Sequence, residues 1–308
     1  MLDFYFAGTQ HVTSHELILE CNGNMLKSYH NDKQIIQNLM DRKKSGGWKG
    51  KLLVDSGAYT CWTKGITICP DAYIDYINEN CDYIDYFIQL DKIPGTPNNP
   101  PTLEQAQQAT EESWNNYLYM TERVKCPEKI LPVYHKGEPL SHLKRMIEHK
   151  INGEYVPYIC LGGSAKDRHR NKLISWYHTC LDVIHKSKNP NVKIHVLGQT
   201  IFALLETLPF ASCDSTSWIM TNAIGNVFTP WGTVLVSKEQ KFSKDHIDYQ
   251  PHELQKWVRD KCIQYNLNYE DLQESYKFRA LFNVHYIIEW ASNYQYKGHT
   301  SFVRRTLF

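Results

Sequence analysis

Short apolar runs alternate with amphipathic helical patterns along most of the chain. Apart from a hairpin or final strand in NVFTPWGTVLVSKEQ, the apolar runs predict strands at residues 2–7, 51–55, 86–91, 130–134, 158–161, 193–197 and 210–213. The helical patterns predict helices at residues 32–44, 70–77, 102–126, 139–150, 173–184, 201–208, 251–262 and 269–290. Strands that alternate with helices build a parallel sheet, and about eight of them favour an α/β fold of the (β/α)8 TIM-barrel class.

The pattern indicates a single domain. No low-complexity linker interrupts it, and the proline-rich stretch at residues 93–101 is short enough to be a loop over the mouth of a barrel. The rhythm changes only near the end, where two long helical patterns follow the last strand. We therefore predict one TIM-barrel domain over residues 1–308, with extra C-terminal helices at about residues 250–308.

Five of the apolar runs stop at residues suited to chemistry or to close ligand contact. They stop at Asp55, Asp91, His135, the pair Gly162–Gly163, and Asp214. Parallel α/β folds bind their ligands at the carboxyl ends of the strands. We therefore expect these residues to meet at one mouth of the sheet.

Two of the aspartates end neighbouring strands. A pair of carboxylates such as Asp55 and Asp91 suits the recognition of paired N–H donors, for example a guanine edge. The small residues Ser56 and Gly57 follow the first of them, so a ligand could approach the backbone amides there. Each aspartate could instead cap the helix that follows its strand.

The later strand ends allow other chemistry. A carboxylate at Asp214 can be a nucleophile at a sugar carbon, and capping of the next helix is an equal alternative on spacing alone. The amides of Gly162 and Gly163 could bind a carbonyl oxygen, although glycine after a strand commonly only makes a turn. His135 could hydrogen-bond a substrate or simply end its strand with a polar group.

Composition restricts the possible partners. The net charge is +1, so the chain has no global basic field, and a nucleic-acid contact has to be local. The 20 tyrosines and 8 tryptophans suit base stacking and ordinary packing alike. The best candidates for phosphate contact follow the glycine pair; they are Lys166, Arg168, Arg170 and Lys172. A solvated face is the alternative for this cluster, as it is for the basic cluster at residues 42–51.

Cysteine usage and the N-terminus indicate the compartment. The chain has nine cysteines and no C-x-x-C pair, which is typical of a reduced, intracellular protein. No signal peptide is visible, and no apolar run approaches the ~20 residues that cross a bilayer. The absence of G-x-G-x-x-G and Walker-type motifs removes the main support for dinucleotide or nucleotide triphosphate binding. We expect a soluble, cytoplasmic protein without membrane contact.

Six strand-end motifs, taken in order, resemble those of a known enzyme family. The motifs are DSGAY, YFIQLD, LPVYH, YICLGGS, HVLGQT and SCDS, and the resemblance runs over about residues 52–237. They are similar to the motifs of tRNA-guanine transglycosylases, which are TIM barrels that exchange guanine for a 7-deazaguanine base. The resemblance implies a base-exchange enzyme that needs no redox cofactor or ATP.

The resemblance also implies a role for each matching position. Asp214 matches the aspartate nucleophile that forms a covalent glycosyl-enzyme, Asp55 the general acid/base, and Asp91 the carboxylate that reads the base edge. Tyr59 and Leu197 fall where the family sandwiches the base, although the second residue is usually methionine.

The remaining positions complete an expected substrate-binding set. Gly163, next to Gly162, falls at the amide that contacts the base oxygen, and His135 occupies the region of a conserved glutamine. The set also includes three neighbouring residues, Ser56, Gly57 and Gly198.

Two departures from the family pattern change the expected polymer. The Pro-Thr-Arg sequence that usually follows the nucleophile is absent, and Thr216 and Ser217 stand in that region instead. The family's structural zinc site needs three closely spaced cysteines and a distant histidine, whereas this chain offers only Cys262 and the later His285. The chain therefore most resembles the phage and bacterial 7-deazaguanine DNA transglycosylases, and we expect neither a metal nor another cofactor.

This branch of the family implies DNA and a free 7-deazaguanine base as partners, and the host cytoplasm as the location if the protein is phage-encoded. The nearest rival hypothesis keeps the chemistry and changes the polymer to tRNA. Two further hypotheses are a catalytically silent nucleic-acid-binding paralogue and an unrelated barrel hydrolase. The sequence leaves open the 7-substituent, the sequence context of the target guanine and the oligomeric state.

Overall fold

The computed structural model describes residues 1–8, 12–96, 98–99, 101–163 and 169–296. The strands of these residues are β1 (Asp3–Phe6), β2 (Asn24–Ser28), β3 (Leu52–Asp55), β4 (Tyr86–Ile88), β5 (Ile130–Leu131), β6 (Val133–His135), β7 (Lys150–Ile151), β8 (Glu154–Tyr155), β9 (Tyr158–Gly162), β10 (Lys193–Val196), β11 (Ser212–Ser215), β12 (Asn226–Thr229) and β13 (Gly232–Leu235). The α-helices are α1 (Val12–Glu20), α2 (Lys33–Lys44), α3 (Ala58–Lys64), α4 (Pro70–Asn80), α5 (Leu103–Thr121), α6 (Leu140–Ile147), α7 (Arg170–His185), α8 (Phe202–Leu205), α9 (Ser217–Ala223), α10 (His252–Gln264), α11 (Tyr269–Glu274) and α12 (Tyr276–Ser292).

Nine of these strands form one parallel sheet that is nearly closed on itself. Their order is β5-β4-β3-β2-β1-β11-β10-β9-β6, and each neighbouring pair is parallel. The strands at the two ends, β5 and β6, are consecutive in the chain and are separated only by Pro132. Because β5 pairs with β4 and β6 pairs with β9, the sheet curls into a barrel-like form. The structure thus confirms an α/β fold with a barrel-like parallel sheet.

Apolar side chains fill both sides of this sheet. The inner side holds a buried cluster to which Tyr5, Leu53, Ile88, Val133 and Cys160 belong. A larger cluster fills the space between the outer side of the strands and the helices. The barrel interior is therefore a packed core rather than a channel.

The alternation of side chains along a strand decides which polar groups enter the barrel. Three predicted site residues come two positions after an inward-facing residue and so share its side of the sheet: Asp55 after Leu53, His135 after Val133, and Gly162 after Cys160. A fourth, Asp214, lies in register with the inward-facing Tyr5 on the neighbouring strand. All four stand at the carboxyl ends of their strands. The sheet therefore directs them into the same mouth.

Some predicted strand boundaries are wrong. The strand predicted at residues 86–91 ends at Ile88, because the chain turns there and the Asp91 amide donates to the carbonyl of Gln89 at 3.1 Å. The predicted strand at residues 130–134 is divided at Pro132, which has no amide to donate to a neighbouring strand. The last strand of the main sheet begins two residues later than predicted. The hairpin predicted near the end is confirmed as β12 paired with β13.

The sequence pattern misses α1 and β2. β2 has the sequence NMLKS, and its Lys27 side chain is only 1% exposed. Lysine is almost never fully buried in proteins, so a lysine within a short run indicates an exposed segment. The sequence therefore does not predict that this run is a buried strand.

The helix boundaries follow local capping. The predicted capping box is confirmed, since the Gln105 amide donates to Thr102 Oγ1 at 3.2 Å and the Gln105 side chain accepts from the Thr102 amide at 3.0 Å. The helix predicted at residues 269–290 is two helices, because the Ser275 hydroxyl accepts from the Lys277 amide and begins α12. α12 packs against α1, α9 and β12, which fastens the C-terminal helices to the barrel. None of the helices among the described residues is both long and apolar enough for a membrane span.

Candidate active site

Asp214 stands on β11, where its side chain enters the mouth of the barrel. Its Oδ1 accepts hydrogen bonds from the backbone N–H of Gly198 at 2.9 Å and from Nε2 of His195 at 3.2 Å. Its Oδ2 makes no hydrogen bond with the described residues. The carboxylate, whose residue is 8% exposed, is thus held by one oxygen, and no described residue hydrogen-bonds the other.

A chain of buried polar groups lies beneath this carboxylate. Nδ1 of His195 is 2.5 Å from Oγ of Ser212, and the hydroxyl of Tyr158 is 2.5 Å from the same oxygen. All three residues are buried in the barrel. Sequence reasoning misses His195, although its place two residues before the inward-packing Leu197 is a signal that it enters the barrel.

Asp55 ends β3 at the same mouth. Its Oδ2 accepts from the Gly57 amide at 3.0 Å. Burial raises the pKa of the Asp55 carboxyl to about 7, the negative charges of Asp91 and Asp214 act in the same direction, and the hydrogen bond from Gly57 acts against them. A carboxyl with such a pKa exchanges its proton near neutral pH, as a general acid/base does.

The turn after β3 depends on a glycine. Gly57 has a φ of +88°, and a Cβ atom there would lie 2.6 Å from Cβ of His30 and 2.7 Å from Oγ of Ser28. Ser56 is fully buried, and its Oγ accepts from the Ala58 amide at 3.3 Å. Both residues shape the turn that carries the aspartate at the end of β3.

Asp91 and His135 form an ion pair across the ends of β4 and β6. Oδ2 of Asp91 is 3.1 Å from Nε2 of His135, and Oε1 of Glu138 is 3.5 Å from Nδ1 of the same ring. Burial alone would lower the pKa of His135, but the hydrogen bonds to Asp91 and Glu138 outweigh it and raise the pKa to about 10. His135 is therefore a cation held between two carboxylates at neutral pH.

The glycine pair at the end of β9 leaves room for two other predicted site residues. A Cβ atom on Gly162 would lie 3.1 Å from Cδ2 of His135 and 3.2 Å from Cδ1 of Leu197. Gly163 has a φ of +78°, and a Cβ there would lie 3.0 Å from the backbone nitrogen of Lys136. The structure thus brings His135, Gly162 and Leu197 together.

An aromatic pair marks the outer part of α3. Tyr59 is 50% exposed, and its ring centroid is 5.8 Å from that of Trp62. Trp62 in turn donates from Nε1 to the carbonyl of Gly95 at 3.0 Å. Tyr59 therefore lies at the exposed rim, whereas Leu197 packs against the barrel interior.

The predicted phosphate-binding cluster is only partly described. Lys166 and Arg168 lie outside the described residues. Arg170 begins α7, and Lys172 is an exposed residue in its first turn.

The two residues that stand where the family has zinc ligands make other contacts in the structure. Cys262 is buried in α10, and the His285 ring stacks on Tyr265 at a centroid distance of 5.1 Å. Among the described residues, no group of three or more His, Cys, Asp or Glu side chains could hold a metal ion.

The sequence matches no protein-family model and no curated protein. The chemistry of the site therefore follows from its geometry. The mouth holds three aspartates, of which Asp214 is held by N–H donors, Asp55 has a pKa raised to about 7, and Asp91 is paired with a cation. Carboxylates whose surroundings differ in this way can divide nucleophilic and acid/base work between them.

Proposed function

We propose that the chain is a guanine/7-deazaguanine transglycosylase that replaces guanine in DNA with a 7-deazaguanine base. The proposal rests on one observation, the presence in a single mouth of two carboxylates with different surroundings. Asp214 has one oxygen held and one that no described residue hydrogen-bonds, whereas burial raises the pKa of Asp55 to about 7. A double displacement at a sugar carbon needs such a nucleophile and such an acid/base. The six ordered strand-end motifs support the same reaction.

The proposal includes a (β/α)8 barrel. We count β5 and β6 as one strand interrupted at Pro132, so that the nine-stranded sheet corresponds to eight strands. Parallel barrels carry their active sites at the carboxyl ends of the strands, which is where the aspartates stand.

In the first step, Oδ2 of Asp214 attacks C1′ of the deoxyribose as the bond between C1′ and N9 of guanine breaks. The proton of Asp55 passes to the departing guanine. The target nucleotide has to leave the base stack before this step, because the carboxylate cannot reach C1′ inside a duplex. The products are free guanine, an ionised Asp55 and a deoxyribose bonded to Asp214.

In the second step, a 7-deazaguanine replaces guanine in the mouth. Asp55 removes the proton from N9 of the new base, N9 attacks C1′, and the bond from C1′ to Asp214 breaks. Two successive inversions give net retention at C1′. Each bond that forms replaces an equivalent one, so the exchange needs no ATP and no redox partner.

Base recognition falls to the residues around the two carboxylates. Asp91 accepts hydrogen bonds from the N–H groups of the guanine edge, and the Gly163 amide donates to the base oxygen. The cationic His135 lies where the family has glutamine, and its Nε2 pairs with Oδ2 of Asp91, which orients that carboxylate for the base edge. Leu197 and Tyr59 cover the two faces of the ring.

The first test is capture of the covalent intermediate. Asp214→Asn should abolish a denaturant-resistant protein–DNA adduct and leave the Kd for DNA within about threefold, since the amide keeps the shape of the side chain but is not a nucleophile. Adducts are counted on denaturing gels with a labelled oligonucleotide. Asp260→Asn, an exposed position of α10, is the matched control and should form adducts as the wild type does. A persistent adduct in Asp214→Asn would refute the assignment of the nucleophile.

The second measurement, an exchange assay, decides the polymer. Wild-type protein is incubated with labelled guanine and either DNA or unmodified tRNA. Incorporation into DNA alone is the expected result. Incorporation into tRNA would identify tRNA as the substrate, and no incorporation into either polymer would favour a catalytically silent nucleic-acid-binding protein.

A further inference from the structure

We infer that His195 is a positioning residue that makes the two oxygens of Asp214 unequal before substrate binds. This role rests on the proposed function, because it concerns the nucleophile of the exchange reaction. His195 is fully buried, and its Nε2 is 3.2 Å from Oδ1 of Asp214. The inference depends on the direction of the hydrogen bonds beneath this contact.

Those hydrogen bonds have one consistent direction. The carboxylate oxygen can only accept, so Nε2 of His195 donates to Asp214, and in the tautomer with its proton on Nε2 the Nδ1 atom accepts from Ser212. The Ser212 oxygen then accepts from the Tyr158 hydroxyl, which starts the chain. The direction Tyr158 to Ser212 to His195 to Asp214 thus satisfies every donor in the chain and fixes one tautomer of the ring.

The ring is also held sideways. Tyr5 meets the ring of His195 edge-on, with centroids 5.9 Å apart and an interplanar angle of 72°. β1 and β11 are in register at Tyr5 and Asp214, so the strand that supports the ring also lies beside the nucleophile. His195 therefore has a fixed position, tautomer and orientation.

A fixed donor matters because an aspartate side chain does not orient itself. The last torsion of aspartate is broad and nearly twofold, so either oxygen could face the substrate. His195 and the Gly198 amide both donate to Oδ1, and this leaves Oδ2 for the attack on C1′. The same donors stabilise the negative charge that returns to the carboxylate when the second base displaces it.

The test compares two substitutions at one position. His195→Phe keeps a ring but removes the N–H, whereas His195→Gln keeps an amide N–H that can reach Asp214. In single-turnover experiments with a labelled DNA oligonucleotide, His195→Phe should form the covalent adduct about 10- to 100-fold more slowly, the loss expected for a hydrogen bond to a charged group. Its Kd for DNA should stay within about twofold of wild type, and His195→Gln should recover most of the rate.

Three results are opposed to the inference. A wild-type rate of adduct formation in His195→Phe would overturn it, and so would a His195→Gln variant as slow as His195→Phe. A wild-type protein that forms no adduct would instead contradict the proposed function, and the role of His195 with it. The three results are therefore distinguishable.

A measurement on the free protein covers the case in which the phenylalanine variant does not fold. In wild-type protein labelled with 15N-histidine, the His195 signals should be those of a neutral ring with the proton on Nε2. A proton on Nδ1 would overturn the inference whatever the activity of the variants.

Discussion

Identical side chains at one mouth acquire different properties from their immediate surroundings. Asp214 accepts two N–H groups on one oxygen, whereas Asp55 accepts the Gly57 amide on its Oδ2 and lies near two other carboxylates. Asp91 is balanced by the cationic His135. In the proposed reaction, the neighbours of each aspartate, rather than the residue type, would therefore separate a nucleophile, a proton carrier and a base-recognition group.

The pKa of Asp55 predicts the pH dependence of the first step of the proposed exchange. Because burial raises that pKa to about 7, the protonated fraction falls as the pH rises through about 7. In the proposed exchange the departure of guanine needs this proton, so single-turnover adduct formation should slow about tenfold per pH unit above about pH 8 and level off below about pH 6. A rate that does not change between pH 6 and pH 9 would contradict the role of Asp55.

Stability measurements on Asp55→Asn check the same pKa without substrate. The folded state binds this proton more tightly than the unfolded chain, whose carboxyl has the ordinary pKa of 3.8. Ionisation therefore lowers the stability of the wild type as the pH rises from about 4 to about 7, and asparagine removes that loss. Asp55→Asn should exceed the wild type in free energy of unfolding by roughly 2 to 4 kcal/mol at pH 8, and the excess should nearly vanish below pH 4. A difference independent of pH would mean that the pKa is not raised.

At the scale of the element, α3 shows how a short helix holds the end of a strand. Glycines in the left-handed region flank this helix, with φ values of +88° at Gly57 and +66° at Gly65. A Cβ on Gly57 would collide with His30 and Ser28, whereas a Cβ on Gly65 would meet nothing within 4 Å. Gly65 is therefore needed only for its backbone conformation, whereas Gly57 is needed for its conformation and for the close packing around it.

This contrast gives a matched pair of substitutions. Gly65→Ala should lower the free energy of unfolding by about 1 kcal/mol, because alanine at this position has to adopt the left-handed conformation but collides with nothing. Gly57→Ala should cost roughly 2 to 4 kcal/mol and also slow adduct formation, since relief of the collision moves the amide that donates to Asp55. Denaturant unfolding and single-turnover rates measure the two effects. Equal losses of stability in the two variants would show that the contact with His30 and Ser28 does not constrain Gly57.

At the scale of the whole molecule, the sequence was sufficient for the parts of the fold that local patterns determine. Apolar runs between amphipathic helices predicted a parallel sheet. The position of Asp55, His135 and Asp214 at strand ends then placed them at one mouth, where the structure also has them. The capping box at Thr102 and the hairpin near the end were predictable for the same reason, since each depends on neighbours in sequence.

The parts that depend on distant neighbours were not predictable. The sequence does not reveal the role of His195, because its partner Ser212 faces it only through the pairing of β10 with β11. β2 is not predicted, because its buried Lys27 interrupts the apolar run. The near closure of the sheet at Pro132 depends on the pairing of β5 and β6 with different strands, which the sequence does not give. A pattern along one strand contains no information about the register of the next strand.

The last prediction concerns where the proposed DNA substrate lies on the whole molecule. With a net charge of +1, binding to DNA depends on local basic clusters, and each phosphate contact adds about 0.7 to 0.9 to the slope of log Kd against log salt. Glutamine at the sequence-predicted positions Lys166, Arg168 and Lys172 should lower that slope by about 2. The control replaces three basic residues at or just after the C-terminal end of α2: Arg42, Lys44 and Lys49. This end of the helix leads into β3 and so lies at the amino ends of the strands, opposite the mouth. Slopes from salt titrations should change in the first triple variant and not in the second; the opposite outcome would place DNA on the other end of the barrel.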